Sequence, residues 1–497
     1  MSEQPTARIS SGTVRGIQQD GIDHYLGIPY AAAPVGVHRF AMPSPAPAWD
    51  EPRDAVRMGP TAPQNPYGED TARFLANVID PGDEFLNLNV WAPTGARDRP
   101  VMVWVHGGSG AHGSNALDGY DGTAFARDGV VFVSINYRLA AEGFSVLDDA
   151  PVNLGLADIA AALRWVRAEI GAFGGDAGNV TAFGESAGAF LLGQLLASPV
   201  AAELFDRVIL QSGTPDASPR KKAGRITRLT AKKLGIHTSR NDFLGVTPAQ
   251  LLEADTAVAA GSNALFGASY GQVIGDDLIP RAPLDAVLAG AGADIPIMVG
   301  WTSEEYRLFL VPSGFIDRVG RGLFALARLR YGIGPRILRA YRQAHPGANR
   351  GVLLGEVLID QLLRLPLTRI ADSRLARPGA ATHVYEFAWG SPVGRLGAAH
   401  AMEIGFVFDR LNSPDWIRLA GDNAPQDLAD EMHAAWVRFA TTGTPGWQPW
   451  DASRPVMVFD AQSAVMTAPR DAQLAVWGRR ARDRNTPSST NATKGRP

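Results

Sequence analysis

Few local patterns restrict a chain as tightly as the run Val180-Thr181-Ala182-Phe183-Gly184-Glu185-Ser186-Ala187-Gly188-Ala189. A β-type stretch meets a Gly-x-Ser-x-Gly turn and continues at once into the apolar helical pattern Phe190-Leu191-Leu192-Gly193-Gln194-Leu195-Leu196. A serine can stand at the apex of so sharp a strand-to-helix turn only if its neighbours are small, which Gly184 and Gly188 provide. The helix that begins at Ala187 aims its free N–H groups and positive dipole end at any negative charge formed at the serine. Gly-x-Ser-x-Gly also occurs in ordinary turns. Flanked by a strand and a helix, it reads as a nucleophile elbow, with Ser186 as the candidate nucleophile.

The surrounding chain reads as the rest of a parallel sheet. Val101-Met102-Val103-Trp104-Val105 is a continuous apolar run of buried-strand type, and His106-Gly107-Gly108-Ser109-Gly110 follows it. A glycine-rich loop there lets backbone N–H groups approach a substrate oxygen. The expected oxyanion donors are the N–H groups of Gly108, Ser109 and Ala187; His106 is expected to pack structurally. Val130–Ile135 is a further buried strand, Asp158 is expected to open a helix with one buried face, and Arg207–Gly213 supplies the next strand. These elements succeed one another as right-handed βαβ units. Near the N-terminus, Arg39 is expected to pair with Asp83 as a structural ion pair.

Composition removes several function classes. The 497 residues carry a net charge of −3, with 45% hydrophobic and 20% charged residues, as in a globular chain with ample core. That balance offers no basic field for nucleic acid or an anionic membrane, so a small neutral partner fits better. With no cysteine, disulfides, thiolate metal sites and a cysteine nucleophile are impossible. The first residues lack the basic start and apolar core of a signal peptide, and no apolar run is long enough to span a bilayer, so a cytoplasmic setting is expected. Asn491-Ala492-Thr493 matches a glycosylation acceptor but reads as part of a polar tail.

A hydroxyl nucleophile needs a base and an acid to orient it. Glu304 and Glu305 follow the strand pattern Ile295–Gly300, in the chain order serine, acid, histidine. The pattern does not choose between the two acids. Of His345, His383, His400 and His433, only His400 occupies a small-residue loop after a strand, in Leu396-Gly397-Ala398-Ala399-His400-Ala401-Met402-Glu403. It is the best candidate base. Ser212, at a strand end, is either near the site or a simple turn serine.

These residues resemble the type-B carboxylesterases, the family of bacterial para-nitrobenzyl esterases, animal carboxylesterases and cholinesterases. Gly27-Ile28-Pro29-Tyr30-Ala31, Leu88-Asn89-Val90-Trp91, His106-Gly107-Gly108, Asn136-Tyr137-Arg138, Gly184-Glu185-Ser186-Ala187-Gly188, Gln211-Ser212-Gly213 and Gly397-Ala398-Ala399-His400 recur in family order. The family's Gly-x-x-x-Asp-Glu-Gly pattern falls on Gly300–Tyr306, so the resemblance implies Glu305 as the orienting acid. It also implies Glu185, Ser212 and Glu403 as a buried polar shell around the triad.

Departures from the family sharpen the expectation. Ser109 and Gly110 stand where relatives have a third glycine and an aromatic, so a wider substrate pocket is expected along Gly107 and Gly110. Phe85 replaces a common cysteine, and the 64–83 segment has no tryptophan to face a quaternary ammonium, which argues against a choline-ester specialist.

The whole then reads as a single α/β-hydrolase domain over 1–484, a large mostly parallel sheet flanked by helices. Helical insertions about 223–291 and 313–373 would roof the site, and 485–497 would form a disordered tail. The expected activity is cofactor-free and metal-free hydrolysis of small to medium apolar or aryl esters through an acyl-enzyme, by a monomer or homodimer. Aryl carbamate or amide hydrolysis by the same triad is the alternative. A non-catalytic binding module is a third reading, disfavoured because Ser186, Glu305 and His400 are all present.

Overall fold

The structure, a computed structural model, describes residues 4–260, 270–377 and 381–478; the proposed tail 485–497 and part of the first insertion lie outside them. Eleven strands form the central sheet: β1 (Ile17–Gln19), β2 (Ile22–Pro29), β3 (Asn87–Pro93), β4 (Arg99–Val105), β5 (Val131–Ile135), β6 (Gly175–Glu185), β7 (Arg207–Gln211), β8 (Ile297–Thr302), β9 (Thr382–Phe387), β10 (Pro455–Phe459) and β11 (Ala464–Thr467). Their order is β11-β10-β9-β8-β7-β6-β4-β5-β3-β2-β1. The strands from β10 to β5 run parallel, with antiparallel strands added at both edges.

The continuous apolar runs are explained by burial on both faces of the sheet. Val101, Val103 and Val105 of β4 enter one core cluster, and the alternating Met102 and Trp104 enter the other, on the period-2 rule for strands. Register places the functional loops side by side. Gly184 lies opposite Val105 on one side and Leu210 on the other, and Gln211 lies opposite Gly300. The chain therefore leaves β4, β6, β7 and β8 at one edge of the sheet, the carboxyl edge, where α/β proteins bind ligands.

Helices complete the molecule: α1 (Leu154–Glu169), α2 (Ala187–Leu196), α3 (Arg321–Tyr331), α4 (Pro335–Ala344), α5 (Arg350–Ile359), α6 (Leu365–Arg374) and α7 (Gln426–Thr442). A separate small core under α3, α4 and α5 is built from Phe324, Leu338, Tyr341, Leu354 and Val357, and Trp477 plugs into it. No helix among the described residues is long and apolar enough to cross a membrane.

Two expectations are corrected. Arg39 pairs with Glu142 at 2.5 Å, not with Asp83. Arg39 and Glu142 are both buried, whereas Asp83 stays in water, and its neighbour Glu84 pairs with Arg53. A buried guanidinium needs a partner that is itself desolvated beside it. Asp158 does not open its helix: α1 starts at Leu154, and Asp158 is fully buried, gripping Arg138 through Nε at 2.7 Å and Nη2 at 2.7 Å.

Candidate active site

Ser186 sits at the junction of β6 and α2 with φ 52° and ψ −122°, a strained conformation for a residue with a Cβ. Close packing on either side enforces it. A Cβ at Gly188 would fall 2.0 Å from the Val105 carbonyl oxygen, and one at Gly184 would fall 2.6 Å from the same atom. The elbow therefore requires glycine at both positions because β4 passes directly beneath the turn.

The loop after β4 lies against the elbow. A Cβ at Gly107 would meet Glu185 Oε2 at 2.7 Å and Ser186 Cβ at 3.3 Å, so this backbone approaches the serine as only glycine allows. Gly108 and Ser109 follow with φ of 104° and 59°. None of the hydrogen bonds among the described residues uses the N–H of Gly108, Ser109 or Ala187. His106 turns away from the chemistry: it is buried, stacked on Tyr137 with ring centroids 4.6 Å apart, and desolvation pushes its imidazole down to about 4.

Three loops from three other strands complete the constellation. His400 Nδ1 bonds Glu305 Oε2. Glu305 is fully buried and also accepts from Ser212 Oγ at 2.6 Å and from the Thr302 N–H at 2.8 Å. Burial works to raise the Glu305 carboxyl, but the charge and hydrogen bond of His400 and the other donors outweigh it, and the group stays below its ordinary value. Glu304, the other acid of the pair, faces elsewhere and pairs with Arg307 at 2.5 Å. The far ring nitrogen of His400, Nε2, lies 3.1 Å from Glu185 Oε1. Burial would lower the imidazole, yet Glu185 and Glu305 hold it up at about 9. Burial pushes Glu185 itself up to about 8, against the pull of His400. Glu403, also buried, accepts from Gln211 Nε2 at 3.3 Å and is pushed up to about 7 by burial and by Glu305.

Ser186, His400 and Glu185 share the wall of one cavity of about 410 Å³. Gly107, Gly108 and Ser109 line it as well. Gly110 does not: it packs away from the cavity, where a Cβ would lie 3.4 Å from the Phe144 ring, so Ser109 and Ala111 set the width on this side. His112 also lines the cavity, its Nδ1 2.9 Å from the Asn65 carbonyl oxygen and its ring 4.4 Å from that of Tyr67, whereas the other three candidate histidines lie outside. His383 is buried without a hydrogen bond, His345 bonds Gln473, and His433 bonds the Val407 carbonyl.

Much of the cavity wall carries no motif. Tyr67, Tyr120, Phe309 and Trp416 give it an aromatic lining, and the Phe309 ring stands 5.1 Å from that of His400. Asp70 and Asp415 add carboxylates, and no lysine or arginine lines the cavity. These residues come from segments far apart in sequence, so no local pattern marks them.

An elbow serine and a histidine bound to a buried carboxylate, set at the carboxyl edge of a mostly parallel sheet, define an α/β-hydrolase. The model of the carboxylesterase family matches residues 3–477. The chain is 31% identical to the para-nitrobenzyl esterase of Bacillus subtilis over 474 residues, covering 92% of this chain and 95% of that protein. It is 32% identical to the phenmedipham hydrolase of Pseudarthrobacter oxydans, covering 90% of this chain and 91% of that protein. Its fold superposes on the crystal structure of a carboxylesterase from Geobacillus stearothermophilus with a TM-score of 0.85 at 35% identity, covering 95% of this chain and 99% of that one. The chain belongs to the carboxylesterase family and is a carboxylic-ester hydrolase.

Proposed function

We propose that Ser186, His400 and Glu305 form the catalytic triad of this esterase, and that the cavity takes uncharged esters of small to medium size, apolar or aryl. The observation that carries the reading is the strained Ser186 sharing a cavity wall with a His400 whose Nδ1 is held by a buried, fully hydrogen-bonded Glu305. Ser186 Oγ attacks the ester carbonyl as its proton passes to His400 Nε2. The N–H groups of Gly108, Ser109 and Ala187 receive the charge that develops on the carbonyl oxygen. The imidazolium gives its proton to the departing alcohol, leaving an acyl-serine. Water, deprotonated by the same imidazole, releases the acid. Glu305 accepts from Nδ1–H, so that Nε2, once it has lost its proton, is the nitrogen that accepts from the serine, and Ser212 fixes Glu305.

The aromatic lining supports apolar and aryl groups, and Asp70 and Asp415, with no lysine or arginine in the wall, disfavour substrates that carry a carboxylate. A panel of p-nitrophenyl esters of rising acyl length, with a carboxylate-bearing ester and matched aryl carbamates beside it, tests this. Neutral esters should turn over fastest, and Ser186→Ala should lower kcat by roughly a millionfold. Faster turnover of carbamates than of esters would make the carbamate the preferred substrate. Undiminished activity in Ser186→Ala would remove the triad assignment.

A further inference from the structure

The whole-chain charge conceals a segregation. From Arg318 to Arg350 the sequence holds eight arginines and no aspartate or glutamate, in a protein whose net charge is −3. Seven of the eight are exposed, and none forms an ion pair among the described residues; the adjacent Asp317 is taken by Arg395 at 2.6 Å.

The helices of this segment are unusual in a second way. α3 buries Phe324 and Ala327 in the small core beneath it, as an amphipathic helix should. Its outer side is apolar as well. Leu323, Leu326 and Leu329 are 42%, 63% and 81% exposed and recur every third residue, with Arg321 and Arg330 beside them. α4 buries Leu338 and Tyr341 in the same core and exposes Arg336, Arg339 and Arg342. The stretch leading into these helices supplies Phe309, Pro312 and Ser313 to the cavity wall.

We propose that α3 and α4 form a docking surface for an anionic lipid interface, which brings the cavity mouth to esters dissolved in that phase. Exposed leucines among unpaired arginines match a surface that is negatively charged and apolar beneath its headgroups. Nucleic acid would use the arginines and leave the leucines in water. A second copy of this chain would set one arginine field against another. The link to substrate rests on the esterase reading, whereas the binding itself does not.

Flotation of the full chain with vesicles of phosphatidylcholine, with and without phosphatidylglycerol, tests the proposal. The protein should float only with the anionic vesicles and come off as salt rises. Leu326→Asp with Leu329→Asp should weaken partitioning by about tenfold or more, and Arg330→Gln with Arg336→Gln by a similar factor. Both variants should hydrolyse p-nitrophenyl acetate at the wild-type rate, which shows that their fold is intact. Failure to float with anionic vesicles, equal flotation with neutral ones, or leucine variants that float unchanged would overturn the proposal. So would duplex DNA bound equally by wild type and leucine variant, or a dimer that the leucine changes dissociate. Flotation without ester turnover would sink the esterase reading and leave the lipid surface standing.

Discussion

His400 lies among three buried carboxylates, Glu185, Glu305 and Glu403, and their combined charge holds its imidazole above the ordinary range, at about 9. A general base must be neutral to act, so kcat/KM should climb with pH well past the value of 6.5 usual for histidine. Glu185→Gln removes one of the two carboxylates that raise it most and should move the midpoint of that climb toward acid, read from a pH profile with a neutral ester. An unmoved midpoint would mean that Glu185 is uncharged across the working range. Ser109 makes a second prediction. It holds φ 59°, where glycine is at ease and a Cβ is not. Ser109→Gly should leave turnover within a few-fold and raise stability by up to about 1 kcal/mol, measured by urea denaturation.

Among the elements, the acid-bearing loop after β8 is tied to the end of α5 by Arg364, between α5 and α6. Its guanidinium donates to the Ser303 carbonyl at 2.5 Å and the Thr302 carbonyl at 3.4 Å, and pairs with Glu356 at 2.9 Å and Asp360 at 2.6 Å. Arg364→Leu would strand two buried carboxylates and should cost about 3–5 kcal/mol. Adding Glu356→Gln and Asp360→Asn should recover part of that loss in thermal melts. None of this was visible in the sequence, where Arg364 is one arginine among many. The elbow, the strand runs and His400 were legible because each rests on local chemistry: small residues at a tight turn, β-branched runs buried on both faces, a histidine in a small-residue loop. The Arg39–Glu142 pair, the grip of Asp158 on Arg138, and Phe309, Tyr120 and Trp416 in the cavity all depend on segments meeting across the fold. Gly110 misled because a missing side chain enlarges a pocket only if that side chain would have pointed into it.

For the molecule as a whole, two buried imidazoles set a limit in acid. Desolvation lowers His106 and His383 from 6.5 to about 4, so both stay neutral in the fold at pH values where the unfolded chain would protonate them. At these two positions the unfolded chain binds more protons between about 4 and 6.5, so their contribution to stability grows as pH rises through that window. Glu185 and Glu403, whose carboxyls burial holds protonated above their usual range, contribute in the opposite sense. His383, which makes no hydrogen bond and meets Phe439 and Trp447 edge-on, is the one to replace. His383→Phe should flatten the acid slope of a melting-temperature profile without altering ester turnover at neutral pH. An unchanged slope would place acid sensitivity elsewhere.

The central claim, that the strained serine on the elbow is the atom that attacks, is tested most directly by mass spectrometry of the chain after exposure to an aryl phosphonate. The account predicts a single adduct, mapped to Ser186, absent from Ser186→Ala and formed at least about a hundredfold more slowly in His400→Gln. An adduct on another residue, or ester turnover that persists while Ser186 stays unlabelled, would contradict it.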